Sequence, residues 1–517
     1  MTTKKNTIIN MFAALITLGV QMFISFWLSP YVVGKLGEEA YGFLNLANNF
    51  VAYANLLAVA INSMACRHIS IEYNQGRREE AKKYFCSVFM ANCILYAAIM
   101  VISFFIIAHI TIFVNVSTDL VVQVKWTFFF AFMSMGVSLV GTVYTAATFT
   151  TNQMQYNSLV QIISNVVRSM LIFLLFIFLP PRIYYISIAT LLTRIVTLAG
   201  NYVLTKRLLP EFNIRLDYFQ LDKLIRLFKS GIWVLISNVS NLLLNGLDLL
   251  LSNWFISSAI MGRLSLAKQI PFALSNALGV FSNIFSSALT KAYAGYGQDK
   301  LVAEANEQLR ILAMFLSVPY AGVVVFGRDF IKLWLNSASY TASQQLQIYI
   351  LMLLTLVDII TSTYMYSIHS VFLALDKVKK YSVILFISSF VSVVLTVLLL
   401  KTTTLGVYAI AGTSTMVLGI THGLIVPACA AKLMKMPINT FWKTEFKSWM
   451  ALGVLCVVFA IIKSPLNIKC WESFILSAVC TALVGYLISA FLILNKEERS
   501  GIIMIIQKRL SILICRK

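Results

Sequence analysis

Fourteen stretches of this chain are apolar for long enough to cross a lipid bilayer, and that recurrence constrains the fold more than any other feature. They cover residues 8–33, 41–64, 86–114, 126–148, 157–179, 183–205, 231–254, 263–289, 309–327, 346–373, 381–400, 404–430, 449–464 and 473–494. A helix rising about 1.5 Å per residue needs roughly 20 residues to span a hydrocarbon core of ~30 Å. Backbone polar groups find no partner in lipid, so each stretch satisfies its own as a helix. Only 12% of the 517 residues are charged, about half the share of a soluble domain. The expected fold is an all-α integral membrane protein of about 14 transmembrane helices.

The placement of charge sets the orientation. The chain holds 41 Lys and Arg against 20 Asp and Glu. With the N-terminus inside, 29 of the 41 fall on cytoplasmic segments and 10 on the opposite loops and their boundaries. The positive-inside rule then puts both termini in the cytoplasm. The excess charge reflects topology and contact with anionic lipid. No basic soluble domain offers itself to nucleic acid. The first apolar run is too long for a signal-peptide core and is read as a retained span. The eight cysteines lack metal-ligand spacing and imply no disulfide framework.

Two arginines stand alone among these helices. Arg168 and Arg194 each fall about 11 residues into their span, close to half the depth of the bilayer. Centring an arginine there costs at least about 2.5–3.5 kcal/mol. The first six spans contain no Asp or Glu to offset it. Two unpaired cations at mid-depth point to a water-filled cavity that accepts an anion.

Polar residues elsewhere fall on single helix faces, at steps of three, four or seven. The stripes are Asn10, Thr17, Gln21 and Ser25; Asn48, Asn55 and Asn62; Gln161, Asn165 and Arg168; Thr190, Arg194, Thr197 and Asn201; and Asn238, Asn241, Asn245, Asp248 and Ser252. Each must face protein or water. Bonding between neighbouring helices is the ordinary use of a membrane asparagine, but five stripes with two arginines favour a shared hydrated space. Asp248 and Asp358 are the only acids within spans. They suit either H+ or Na+ coupling or pairing with a cavity cation. No other cofactor and no metal is expected. Pro271, Pro319 and Pro427 fall within spans and carry no gating assignment.

The chain repeats itself. Tyr41-Gly42-Phe43-Leu44-Asn45-Leu46-Ala47 matches Met261-Gly262-Arg263-Leu264-Ser265-Leu266-Ala267 at a shift of 220. Six spans separate the copies, so they share one orientation, as in a parallel repeat about an axis along the membrane normal. The expected organisation is an N-terminal lobe of six helices (1–206), a cytoplasmic amphipathic linker (207–230), a C-terminal lobe of six helices (231–432), and two further helices with a basic tail (433–517). The two parallel-repeat lobes would enclose a central cavity. In the linker Leu221, Leu224, Ile225 and Phe228 share a face, the pattern of an interfacial helix.

Catalysis finds no support, since there is no phosphate-binding glycine loop, metal-ligand cluster or large external loop. Two six-span lobes, the YGxLxLA opening of the second span and the loop RHISIEYNQGRREEAKKYF resemble the Wzx-type polysaccharide flippases of the MOP superfamily. Those proteins are related to MATE exporters and lipid II flippases. The resemblance covers residues 8–430. It implies a multi-pass protein of the bacterial inner membrane that moves an undecaprenyl-diphosphate-linked oligosaccharide to the outer leaflet by alternating access. The product would be O-antigen, capsule or exopolysaccharide. Its partners would be membrane lipids, a polysaccharide polymerase and a chain-length regulator. The resemblance implies cavity cations at Arg168 and Arg194, then Lys268 and Arg263 near the outer mouth. Asn48, Asn55, Asn165, Asn201, Asn241 and Asn245 suit sugar hydroxyls. The competing readings are a MATE-type multidrug or cation antiporter, whose cargo calls for carboxylates that the first lobe lacks; a major-facilitator transporter, whose loop motif is missing; and a non-transport ligase or scaffold of glycan assembly.

Overall fold

The computed structural model describes residues 2–335, 340–375 and 377–500 and is helical throughout them, without a strand. The expected basic tail lies largely beyond Ser500, outside the described residues. The helices are α1 (Thr2–Leu36), α2 (Glu38–Asn74), α3 (Arg78–Ala108), α4 (Ile110–Phe113), α5 (Val121–Gly141), α6 (Thr145–Thr150), α7 (Met154–Phe178), α8 (Tyr184–Leu208) and α9 (Leu221–Asn245). There follow α10 (Asp248–Phe255), α11 (Ser258–Ala267), α12 (Gln269–Trp334), α13 (Ala342–Ala374), α14 (Val378–Thr402), α15 (Val407–Ile420), α16 (Val426–Leu433), α17 (Trp442–Lys463) and α18 (Trp471–Ile493). Twelve helical runs are long and apolar enough to cross a membrane among the described residues. The two other expected crossings, 263–289 and 346–373, fall on α11–α12 and α13, where many side chains lie outside the described set.

The 66-residue α12 would measure about 100 Å as a straight rod, three times a hydrocarbon core. Leu278 from its first half shares one apolar cluster with Leu316, Tyr320 and Leu356. A straight helix would hold Leu278 and Leu316 about 57 Å apart, so the run supplies two packed segments.

The chain divides into two compact units. The first runs to Gln269 and adds Ser382–Ser414; the second is Ile270–Tyr381 with the chain from Thr415. In the second, Arg310 pairs with Glu498, and Lys463 with Asp329 at 2.5 Å. A single π-helical turn at Thr421–Ile425 precedes Pro427, which has no N–H to continue regular bonding.

In the first unit the turn between α2 and α3 depends on Gly76, whose φ of 81° puts it in the left-handed region. The Arg77 N–H closes that turn by donating to the Glu72 carbonyl at 3.0 Å. Beneath it Phe85, Tyr144, Phe212 and Leu227 form a buried aromatic and aliphatic floor. Residues 221–230 continue without a break into the seventh crossing as α9. Leu221, Ile225 and Phe228 are exposed there, while Leu227 and Lys223 turn inward. Lys223 is held by Glu80 and lies over the Tyr84 ring.

The two copies of the sequence repeat touch. A Cβ on Gly42 would lie 2.9 Å from the Gly262 nitrogen, and the Asn45 side-chain amide donates to Ser265 Oγ at 3.4 Å. Both pairs are separated by 220 residues, the shift of the repeat. Residues at equivalent positions of the repeat thus meet where α2 crosses α11. Glycine is required because a Cβ on Gly262 would come 2.1 Å from the Glu38 carbonyl oxygen. Gly262→Ala should therefore cost about 1–3 kcal/mol, read as a lower thermal midpoint of the purified protein. Gly412→Ala, with no atom within 4 Å of its Cβ, should leave the midpoint unchanged or raise it.

Candidate functional site

The arginines on α7 and α8 open onto one cavity of about 310 Å³ inside the first unit. Helical spacing puts its polar groups there. On α7, Asn157, Gln161, Ser164, Asn165 and Arg168 recur at steps that keep one face inward. On α8, Thr190, Thr193, Arg194, Thr197 and Asn201 do the same. The two helices lock through Thr197 Oγ1, which donates to Ser164 Oγ at 2.9 Å, and through close contact of Val160 with Gly200. Gln21 of α1, Ser138 of α5, and Thr142 and Thr145 beyond it complete the polar wall.

No lining residue is acidic. Arg168 is half-buried, and its Nε–H is shielded from solvent with no hydrogen-bond partner. Arg194 is exposed on the cavity wall, and neither arginine pairs with a carboxylate among the described residues. The amide oxygens of Asn157 and Asn201 are likewise buried without a donor. The cavity thus offers guanidinium N–H groups to an anion and amide oxygens to hydroxyls. Such orphaned groups are what a ligand completes.

The other residues that the sequence singled out go to different places. Asn165 and Asn201 join Arg168 and Arg194 in the cavity. Asn48, Asn55 and Asn241 are exposed on α2 and α9 and do not line it. Asn62 is tied to Asn92 in a reciprocal amide pair at 2.9 and 3.0 Å. Asn10 and Thr17, on the α1 stripe, bond to Asn152 and to the Ser158 carbonyl. Arg263 forms a two-pronged bond with Glu38, both contacts at 3.0 Å. Lys268 is buried in an ion pair with Asp248 and donates to the Asn245 carbonyl at 3.2 Å. These last two cations, on α11 and at its C-terminal end, lie outside the cavity lining, and each already has a carboxylate. Asp358 belongs to α13, and its side chain lies outside the described residues.

Sequence reasoning missed Asn157, Ser164, Ser138, Thr142, Thr145 and Thr193. Asn157 was findable, one turn before Gln161 on the same face. The hydroxyl residues carry no distinguishing signal, since small polar residues are ordinary in membrane helices.

Residues 3–290 match the family described as "Polysaccharide biosynthesis protein", more than half of the chain. The chain belongs to that family. Over 95% of its length it is 24% identical to "Uncharacterized membrane protein EpsK" of Bacillus subtilis (strain 168), covering 96% of that protein. Among solved structures it is similar to "Lipid II flippase MurJ, inward closed conformation", with a TM-score of 0.68 and 16% identity over 93% of this chain and 98% of that one. It is also similar to an inward-facing multidrug resistance MATE family transporter of the MOP superfamily. There the TM-score is 0.65 and the identity 15%, over 83% and 99% of the two chains. This polysaccharide biosynthesis family protein therefore has the fold of the MOP superfamily.

A cavity with two unpaired arginines should select for negative charge. In a cysteine-free background, Gln161→Cys and Asn165→Cys should react several-fold faster with an anionic than with a cationic methanethiosulfonate. Two unit charges at short range in water supply about 1 kcal/mol each. The preference should collapse when Arg168 and Arg194 are both alanine.

Proposed function

We propose that this protein is a flippase that carries an undecaprenyl-diphosphate-linked oligosaccharide from the cytoplasmic to the outer leaflet of a bacterial inner membrane. The observation that carries this reading is the acid-free cavity bearing Arg168 and Arg194 without carboxylate partners. Guanidinium groups grip phosphate or an acidic sugar through paired, charge-assisted hydrogen bonds. Asn157, Asn165 and Asn201 present amides to sugar hydroxyls beside them. The lipid tail stays in the bilayer while the head group is carried by alternating access of two repeat-related lobes. Both termini lie in the cytoplasm, in accord with the charge asymmetry of the loops. The product serves O-antigen, capsule or exopolysaccharide assembly, with a polymerase and chain-length regulator as partners.

Membership of the polysaccharide biosynthesis family supports this reading, as does the likeness of fold to a lipid II flippase. A MATE-type antiporter of cationic drugs fits less well, because a cationic cargo would meet like charge in this cavity. A ligase would need an activating base and a nucleophile, and the cavity wall offers amides, hydroxyls and guanidinium groups.

Arg168→Ala and Arg194→Ala should each reduce surface glycan roughly tenfold to a hundredfold, given about 1.5–3 kcal/mol for a charged hydrogen bond. Lysine at either position should restore part of the loss, since charge survives without the fork. Glycan measured on whole cells at matched protein level tests this. A double alanine variant with normal glycan would refute it, and a change in drug resistance alone would favour the antiporter.

A further inference from the structure

The seventh crossing is broken in its path, and the break is built like a cation site. α9 ends at Asn245 and α10 begins at Asp248, leaving Gly246 and Leu247 outside regular helix. The Asn245 and Gly246 carbonyls lie at the negative end of the α9 dipole. Three side chains from elsewhere cover them. Asn49 donates to the Gly246 carbonyl at 2.9 Å and Tyr53 to the same oxygen at 2.5 Å. The ammonium of Lys268 donates to the Asn245 carbonyl at 3.2 Å and to the Asp248 carboxylate. Asp248 is 4% exposed and Lys268 3%. One turn beyond Asp248, the hydroxyl of Ser252 is fully buried and has no hydrogen-bond partner.

A carboxylate, the carbonyls at a helix interruption and a buried hydroxyl are hard oxygen donors of the kind with which broken transporter helices bind Na+. Here a positive charge is already present, tethered to the chain. We propose that the broken seventh crossing holds a monovalent-cation site permanently filled by the Lys268 ammonium. Asp248 is thereby held by an internal counter-ion, and the break keeps its geometry without a dissolved ion. Removing the ammonium leaves a buried carboxylate and the Asn245 carbonyl without their cation, a gap that an alkali cation of suitable size then occupies. This site belongs to the first unit alone and is independent of what the basic cavity carries.

The test is thermal unfolding of the full-length protein in detergent, at equal ionic strength in sodium, potassium, methylammonium or choline chloride. Lys268→Ala should unfold at a lower temperature than the wild type in choline. Sodium or methylammonium should raise its midpoint by several degrees, as mass action requires of a ligand that binds the native state. Asp248→Asn combined with Lys268→Ala should abolish that selective gain. Equal midpoints of Lys268→Ala in all four salts would overturn the proposal, as would a gain that survives in the double variant. Should the alanine variant resist purification, Lys268→Ser keeps room for an ion and adds an oxygen donor. Its recovery in sodium but not in choline supports the site, and its loss in both overturns it.

Discussion

Hydrocarbon satisfies no polar group, and every polar side chain in this protein must be accounted for against that constraint. Three outcomes are visible. Asn62 and Asn92 satisfy each other across α2 and α3. Arg263 and Lys268 are neutralised by Glu38 and Asp248. Arg168 and Arg194 receive neither treatment and share a cavity instead. A pair of guanidinium groups costing several kcal/mol to place persists where water or an anion meets them. The contrast among the three is what distinguishes a binding site from internal bracing.

The repeat explains how the bracing is arranged. Gly42 and Gly262, equivalent in sequence, meet where α2 crosses α11. Absence of a side chain at both lets the backbones approach until the Glu38 carbonyl fills the space a methyl would need. Glu38 then reaches Arg263 one residue beyond the glycine. The crossing, the ion pair and the Asn45–Ser265 hydrogen bond form one continuous contact. Close by, Lys268 reaches the interruption between α9 and α10. The basic cavity lies on other helices, α7 and α8, so it is free of the charges that stabilise the crossing.

The sequence by itself determined the helical class, the positions of most crossings, and both arginines with most of the polar residues that share their wall on α7 and α8. Those features depend on local periodicity and on the length of apolar runs, which the order of residues states directly. Tertiary structure alone decided which charges were paired. Arg168 and Lys268 look alike along the chain, each a lone cation beside apolar residues. Asp248 reaches Lys268 across α10, a short turn and α11, and Glu38 reaches Arg263 from 225 residues away. The same holds for the asparagines: Asn165 lines the cavity while Asn62, on an equally regular stripe, is spent on Asn92. Periodicity tells which face a side chain occupies, but the neighbour opposite that face is set by packing between distant segments.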